Sequence, residues 1–454
     1  MIRFEPDGPT RPASVGIGLT RWLALRQDYL GTIARLRRDG GDVVHSRIAG
    51  EHYWDLLSPS SVREALVEHA DVLTRWERAV DVFSQLFGEA VLTTEGAAWK
   101  RHRQALRPAL KSSAVERHAA LIRDVADAEL DEALPAGLTD AVVDVDRLLS
   151  RTTLNVILRL LFGEGASPGE ADEALRAART LGAIAFREMF WPTTLPDWLP
   201  LPGKAAKREA LATLRVLIGA RLDGGRPGYG GPLLGRASRG HERDEADALD
   251  GCERFDLGMT LLQAGHETTA AALTWWVYLL ARHPAFLHTV VDEIDRELGG
   301  ARPTAKNVGS LRLLSASLKE AMRLYPPIAV LMSRRTVAPL RLGDRLVPAG
   351  SILRFSVWEL HRDPESHDEP ERFRPERFLP GRSAPPRGAY VPFGVGPRIC
   401  VGQHLALLQM RLVGATFLQK FRLGTNPHPP ICEPEMQIVL RPKQALTLRL
   451  IRRT

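Results

Sequence analysis

Apolar positions recur at every third or fourth residue through most of this chain, a spacing that lays one face of an α-helix against a core. The period predicts helices over 22–38, 60–69, 96–110, 115–134, 143–162, 170–190, 204–222, 254–282 and 311–324. Another follows Gly402, where Leu405, Leu408, Leu412 and Phe417 share a face. Gly40-Gly41, Gly163 and Pro326-Pro327 stop three of them, as residues that break the hydrogen-bond ladder do. The longest, 254–282, spans ~44 Å at 1.5 Å per residue and must cross the whole molecule.

Two-residue alternation is confined to short stretches: 42–48 and 52–57 around Ala49-Gly50, segments between 328 and 357, and a C-terminal pair over 437–440 and 445–450. Residues 1–20 read as an extended Pro/Gly entry, 71–94 as irregular, 224–251 as a charged loop with at most a short helix near Leu233, and 363–386 as a meandering coil. Helix outweighs strand. The expected fold is mainly α with small β-sheets, one domain over 1–454, without internal repeats.

At 454 residues and 44% hydrophobic content the chain can bury a sizeable core. Its net charge of +7 is dispersed, with no basic run and no nucleic-acid motif, so no nucleic-acid partner is expected. Three widely spaced cysteines, Cys252, Cys400 and Cys432, exclude a disulfide framework or a paired zinc site and suggest a reducing, cytoplasmic setting. The first residues hold no apolar run, so no signal or membrane anchor is expected. The most apolar window, 261–281, carries Gln263, His266, Glu267 and threonines that a bilayer penalises, and reads as a buried helix.

Candidate chemistry concentrates in four places. In Phe393-Gly394-Val395-Gly396-Pro397-Arg398-Ile399-Cys400-Val401-Gly402, two glycines and a proline force a tight turn before a helix start. Free N–H groups and the helix dipole there lower a thiol pKa from ~8.5 towards ~3.5–7.5, giving a thiolate fit to bind metal. A lone cysteine is otherwise a small buried hydrophobe. Ala264-Gly265-His266-Glu267-Thr268-Thr269 sets an acid beside a hydroxyl in mid-helix, costly to bury unless used, although threonines also bond back to their own helix. Glu320 and Arg323 stand at i and i+3, and Trp99 and Arg103 at i and i+4, each pair on one helical face.

The pattern Phe-x-x-Gly-x-Arg-x-Cys-x-Gly resembles the haem-ligand signature of the cytochrome P450 family, and the other motifs are similar to that family's in order and spacing over essentially the whole chain. The resemblance implies a P450 fold with a long central helix and a haem b whose iron is bound by Cys400 in a loop shaped by Phe393, Gly396 and Gly402. Trp99, Arg103, Arg398 and Arg334 would meet the haem propionates; Arg335 rivals Arg334 by one position, because Pro339 stands where the family has an aspartate. Ala264 and Gly265 would let the helix open and approach the haem, with Thr268 and Glu267 catalytic as hydroxyl and proton relay, and His266 a packing residue. Glu320, Arg323 and Arg377 of Pro375-Glu376-Arg377-Phe378 would form a structural triad. Ile328, Ala329, Val330 and Leu331 would line the substrate pocket. His361-Arg362-Asp363-Pro364 would be a structural turn, Trp275-Trp276 core packing, and Cys252 and Cys432 inert residues of polar loops.

The implied function is a monooxygenase of secondary metabolism. It would insert one atom of O2 into an apolar substrate, such as a terpenoid, fatty acyl chain or polyketide. No flavin or iron–sulfur segment follows Cys400, so electrons are expected from a separate ferredoxin or flavodoxin with its NAD(P)H reductase, docked on Lys100, Arg101, Arg107 and Arg411 of a monomer. The alternatives are a peroxide-driven peroxygenase, an isomerase, or a non-catalytic haem sensor. The Glu267-Thr268 pair argues against the first two.

Overall fold

A computed structural model describes residues 17–48, 50–135, 137–191, 193–223, 233, 249–382, 385–424 and 431–453. Most of the expected extended entry and nearly all of 224–251 lie outside these residues. The first predicted helix is two helices, α1 (Ile17–Gln27) and α2 (Tyr29–Gly40). The break falls at Asp28, whose carboxylate accepts the Gly31 N–H at 2.9 Å and so starts a new helix. Residues 17–20, expected to be extended, belong to α1.

The hairpin β1 (Val43–Ile48) and β2 (Glu51–Leu56) leads to α3 (Pro59–Arg63), a π-helical turn (Glu64–Glu68) and β3 (Leu73–Arg75). The segment expected to be irregular then forms α4 (Glu77–Phe87). Its acids and arginine blur the pattern, but Ala79, Val82, Phe83, Leu86 and Phe87 are buried on one face.

Next come α5 (Gly96–Leu110), α6 (Ser112–Val115), α7 (Ala119–Ala133), β4 (Asp140–Asp144), α8 (Val145–Phe162), α9 (Pro168–Glu188) and α10 (Lys204–Asp223). The long α11 (Gly251–Arg282) is capped by Asp250, whose carboxylate accepts the Glu253 N–H while Glu253 accepts the Asp250 N–H. Then follow α12 (Pro284–Leu298), α13 (Arg312–Leu324), β5 (Val330–Thr336), β6 (Leu340–Leu342), β7 (Arg345–Val347), β8 (Ile352–Ser356) and α14 (Val357–Leu360). A long coil leads to α15 (Gln403–Lys420), β9 (Phe421–Leu423), β10 (Pro434–Glu435), β11 (Arg441–Pro442) and β12 (Thr447–Arg452).

The main sheet runs β1-β2-β8-β5-β3, joining strands some 300 residues apart in the sequence. The predicted C-terminal strand pair does not form. Residues 437–440 are not a strand; β12 pairs instead with β4 and β9, and β10 with β11. Alternation identifies a strand but not its partner, which here lies some 300 residues away.

The largest core cluster packs α8, α11, α13 and α15 together. Trp275 and Trp276 are wholly buried within it, their indoles donating to the Leu440 carbonyl at 3.0 Å and the Ser317 hydroxyl at 2.9 Å. Cys432, expected in a polar loop, is buried in the same core, whereas Cys252 is exposed in the first turn of α11. Leu233 is buried, its N–H donating to the Leu160 carbonyl at 3.0 Å. Among the described residues, no helix is long and apolar enough to cross a membrane.

Candidate active site

A cavity of about 1630 Å³ separates α11 from the loop before α15. That exceeds the ~300–1,000 Å³ of an ordinary small-molecule site, leaving room for a prosthetic group and a substrate together. Cys400 looks into it from one side and Ala264, Gly265 and Thr268 from the other. Ala264 sits in the middle of a buried helix yet is exposed, because it faces this void.

The cysteine loop is held by backbone geometry. Gly394 and Gly396 take φ of 74° and 76°, and a side chain on Gly396 would meet the Leu66 carbonyl oxygen at 2.0 Å. Only glycine fits there. The Cys400 N–H donates to the Phe393 carbonyl at 2.9 Å, and Arg103 donates to the Ile399 carbonyl at 2.9 Å. Gly402 is the residue before α15, and its N–H points at the sulfur. The sulfur is open to a water-sized sphere because it faces the cavity, yet it lies deep in the molecule. Burial pushes the thiol above its ordinary value, outweighing the Gly402 N–H and Arg103, which pull it down. The helix start alone therefore does not produce the lowered thiol pKa expected from the sequence.

On α11 the Thr268 hydroxyl donates to the Ala264 carbonyl at 2.8 Å, and the Thr269 hydroxyl to that of Gly265 at 3.0 Å. Gly265 has a packing role beside the expected one: a Cβ there would meet Ile157 Cδ1 of α8 at 2.9 Å. Glu267 is buried and meets Arg441 at 3.3 Å. Arg441 continues to Asp146 at 3.1 Å, and Asp146 to Arg179 at 2.6 Å, whose side chain is 41% exposed. His266 is buried, its Nδ1–H donating to the Leu262 carbonyl at 2.7 Å, and it does not line the cavity.

Three expected pocket residues, Ile328, Val330 and Leu331, line the void. Ala329 does not: it is fully buried, and its carbonyl accepts the Trp358 N–H at 3.1 Å. It lies in the bend just before β5. Arg334 and Arg335 both line the void but differ in their surroundings. Arg334 is buried, while Arg335 is engaged by Glu51 at 3.0 Å and Glu77 at 2.8 Å. Of the basic residues suggested for docking, Arg101 is already paired with Glu253, while Lys100 and Arg107 are exposed.

Away from the void, Arg323 donates to both Glu320 oxygens at 2.8 Å and Arg377 to the same carboxylate at 3.2 Å. Arg323 also donates to the carbonyls of His361 and Pro370 at 2.8 and 2.6 Å, which clamps the long coil.

This arrangement matches known proteins throughout its length. The profile of the family described as Cytochrome P450 covers residues 6–215 and 242–449. The chain belongs to the cytochrome P450 family. Cyclooctat-9-en-7-ol 5-monooxygenase of Streptomyces melanosporofaciens is 32% identical, over 94% of this chain and 95% of that protein. Pentalenene oxygenase of Streptomyces avermitilis is 30% identical, over 98% and 97%. The crystal structure of CYP175A1 from Thermus thermophillus has a TM-score of 0.76 at 28% identity, covering 96% of this chain and 98% of that one. As a P450 the protein is a haem-iron oxidoreductase of the monooxygenase type.

The residues fit the haem. Next to the P450 cysteine loop, Arg75, Arg334 and Arg398 gather round one carboxylate, Glu95. Arg75 and Arg334 are direct cross-strand partners of β3 and β5, and like charges so placed repel. Burial, with mutual repulsion behind it, pushes all three down to about 10. The Arg398 guanidinium lies 3.8 Å from the centre of the Trp99 ring. Three crowded cations with one carboxylate among them are what a group bearing carboxylates would relieve.

Sequence reading missed Arg75, Glu95, Arg441 and Asp146. Arg75 stands beside no motif, and only the β3–β5 register brings it to Arg334. Arg441 lies 174 residues from Glu267.

Proposed function

We propose that this P450 is a cytoplasmic, monomeric haem b monooxygenase that hydroxylates an apolar polycyclic substrate of terpenoid type. It would use O2 and electrons from a separate ferredoxin or flavodoxin with its NAD(P)H reductase. The relatives named for cyclooctat-9-en-7-ol and pentalenene support the substrate class. The observation that carries the reading is that Cys400 and Thr268 line one cavity.

When bound, the haem supplies oxygen activation, which a thiolate ligand favours by pushing electron density towards O–O cleavage. Cys400 Sγ would hold its iron, with the Gly402 N–H and Arg103 stabilising the negative charge on sulfur. Arg75, Arg334, Arg398 and the Trp99 indole N–H would hold its carboxylates, and Arg103 would steady the loop at Ile399. Glu267 would keep a proton within reach of the Thr268 hydroxyl, which would pass it on from Oγ1. Arg441 and Asp146 would link Glu267 to the surface at Arg179. Phe83, Phe87, Phe186 and Phe190, all lining the void, would exclude water and seat an apolar skeleton.

The reduced protein under carbon monoxide should show the red-shifted Soret band of thiolate ligation, and Cys400→Ser should lose it. A normal haem-protein band from the intact wild type would sink the assignment.

A further inference from the structure

On the α11 wall of the cavity, Thr260 and Gln263 lie one turn apart and stand N-terminal to the Glu267-Thr268-Thr269 group. They are 2% and 5% exposed. Neither the Thr260 hydroxyl oxygen nor the Gln263 Nε2 has any hydrogen-bond partner. Both atoms are shut off from solvent-sized space, so no water satisfies them either.

Thr260 breaks the habit of its neighbours. Thr152, Thr153, Thr268, Thr269, Thr274 and Thr416 each donate to the carbonyl four residues earlier. Thr260 makes no such bond. An orphaned buried polar group costs ~1–3 kcal/mol, and valine or leucine would fill these positions without it. Both residues line the void, so a turn about a side-chain bond is the motion that would present each polar group to a ligand there. Gln409, also orphaned and lining the cavity, sits nine residues past Cys400 on α15 and belongs to the haem side.

We infer that Thr260 and Gln263 hold an oxygen already present on the substrate, a hydroxyl or ketone, and so select an oxygenated terpenoid over the parent hydrocarbon. The inference deepens the proposed function and rests on it. Gln263 Nε2 donates to that oxygen, and the Thr260 hydroxyl either donates to it or accepts from a substrate hydroxyl. The helix sets the spacing. Thr260 and Gln263 precede Thr268 by eight and five residues, or ~12 and ~7.5 Å along the axis. The carbon oxidised should therefore lie about that far from the existing oxygen. The reaction that supplies this substrate must be one that installs oxygen on a finished ring system.

The test uses the haem-loaded enzyme with androstane and a panel of its mono-alcohols and mono-ketones, oxygen at different ring positions. Binding is measured by displacement and calorimetry. At least one oxygenated member should bind ~10-fold or more tighter than androstane, as one or two hydrogen bonds allow. In the double variant Thr260→Val, Gln263→Leu that preference should vanish or reverse, while the unliganded melting temperature holds or rises. Thr260→Ser should keep the preference. A stabilised variant without discrimination is an outcome that a purely structural role for the pair would not produce. Equal binding of androstane and every derivative would overturn the inference alone. Failure of the whole panel to bind would overturn the polycyclic-substrate reading and the inference with it.

Discussion

Two buried arginine clusters flank the cysteine loop, and they differ in completeness. Around Glu320, the carboxylate accepts from Arg323, Arg377 and the Arg374 N–H, and the remaining guanidinium donors find backbone carbonyls. Around Glu95, three arginines also reach backbone carbonyls, but they share one carboxylate and press on one another. The first cluster is closed, so its energy goes into the fold. The second is open on the positive side, so its energy is released when an anionic group arrives. The presence of arginines alone does not distinguish a structural cluster from a binding one; how many of them crowd one carboxylate does.

The comparison breaks first at Glu320. Glu320→Ala leaves Arg323 buried without its partner and should lower stability by ~3–5 kcal/mol, read by urea unfolding of the apoprotein. A loss below about 1 kcal/mol would remove the distinction between the clusters. Arg334→Ala, in the open cluster, should leave apoprotein stability nearly unchanged or raised. It should instead speed haem transfer to an acceptor protein by ~10–100-fold, the equivalent of ~1.5–3 kcal/mol for a charged hydrogen bond. Equal destabilisation of the apoprotein by both variants would count against the open cluster as a binding site.

Arg441 sharpens the contrast, because it bridges Asp146 and Glu267 and belongs to neither cluster. Arg441→Met should slow turnover roughly tenfold and raise its solvent isotope effect, short of the ~10²–10⁴ lost with a general acid–base group itself. Substrate binding measured by haem absorbance should not move.

The smallest effect concerns His361 in the closed cluster. Its Nδ1–H donates to the Arg323 carbonyl and its Nε2 accepts the Val391 N–H, so the ring is neutral. Burial, with His367 and Arg323 behind it, holds its pKa well below the usual 6.5. The unfolded chain takes up a proton there that the folded chain refuses. This group's stabilisation is therefore full above the ordinary histidine value and falls, by at most ~1.4 kcal/mol per pH unit, as the medium is acidified below it. His361→Gln should make the acid side of the stability curve shallower by one proton. An unchanged slope would show that the ring titrates normally.

Both α11 and the Cys400 loop were legible in the sequence. Their signals are local: a helical period, glycines and a proline that force a turn, a hydroxyl beside an acid. So was the closed cluster, two of whose members share one helix. Distant strand partners were not legible, unlike the β1–β2 hairpin, since 445–450 announces a strand without naming β4. Nor was α4, whose charged positions mask a short buried face.

The sequence by itself determined the cysteine, its turn, the acid–hydroxyl pair and most helices, because each depends on residues within a few positions of one another. Only the tertiary structure decided that Arg75 would stand opposite Arg334, that Arg441 would reach Glu267, and that Thr260 and Gln263 would be left without partners beside a void. Those are questions of burial and register. Desolvation and charge repulsion act on whatever folding brings close, however far apart it lies in the chain.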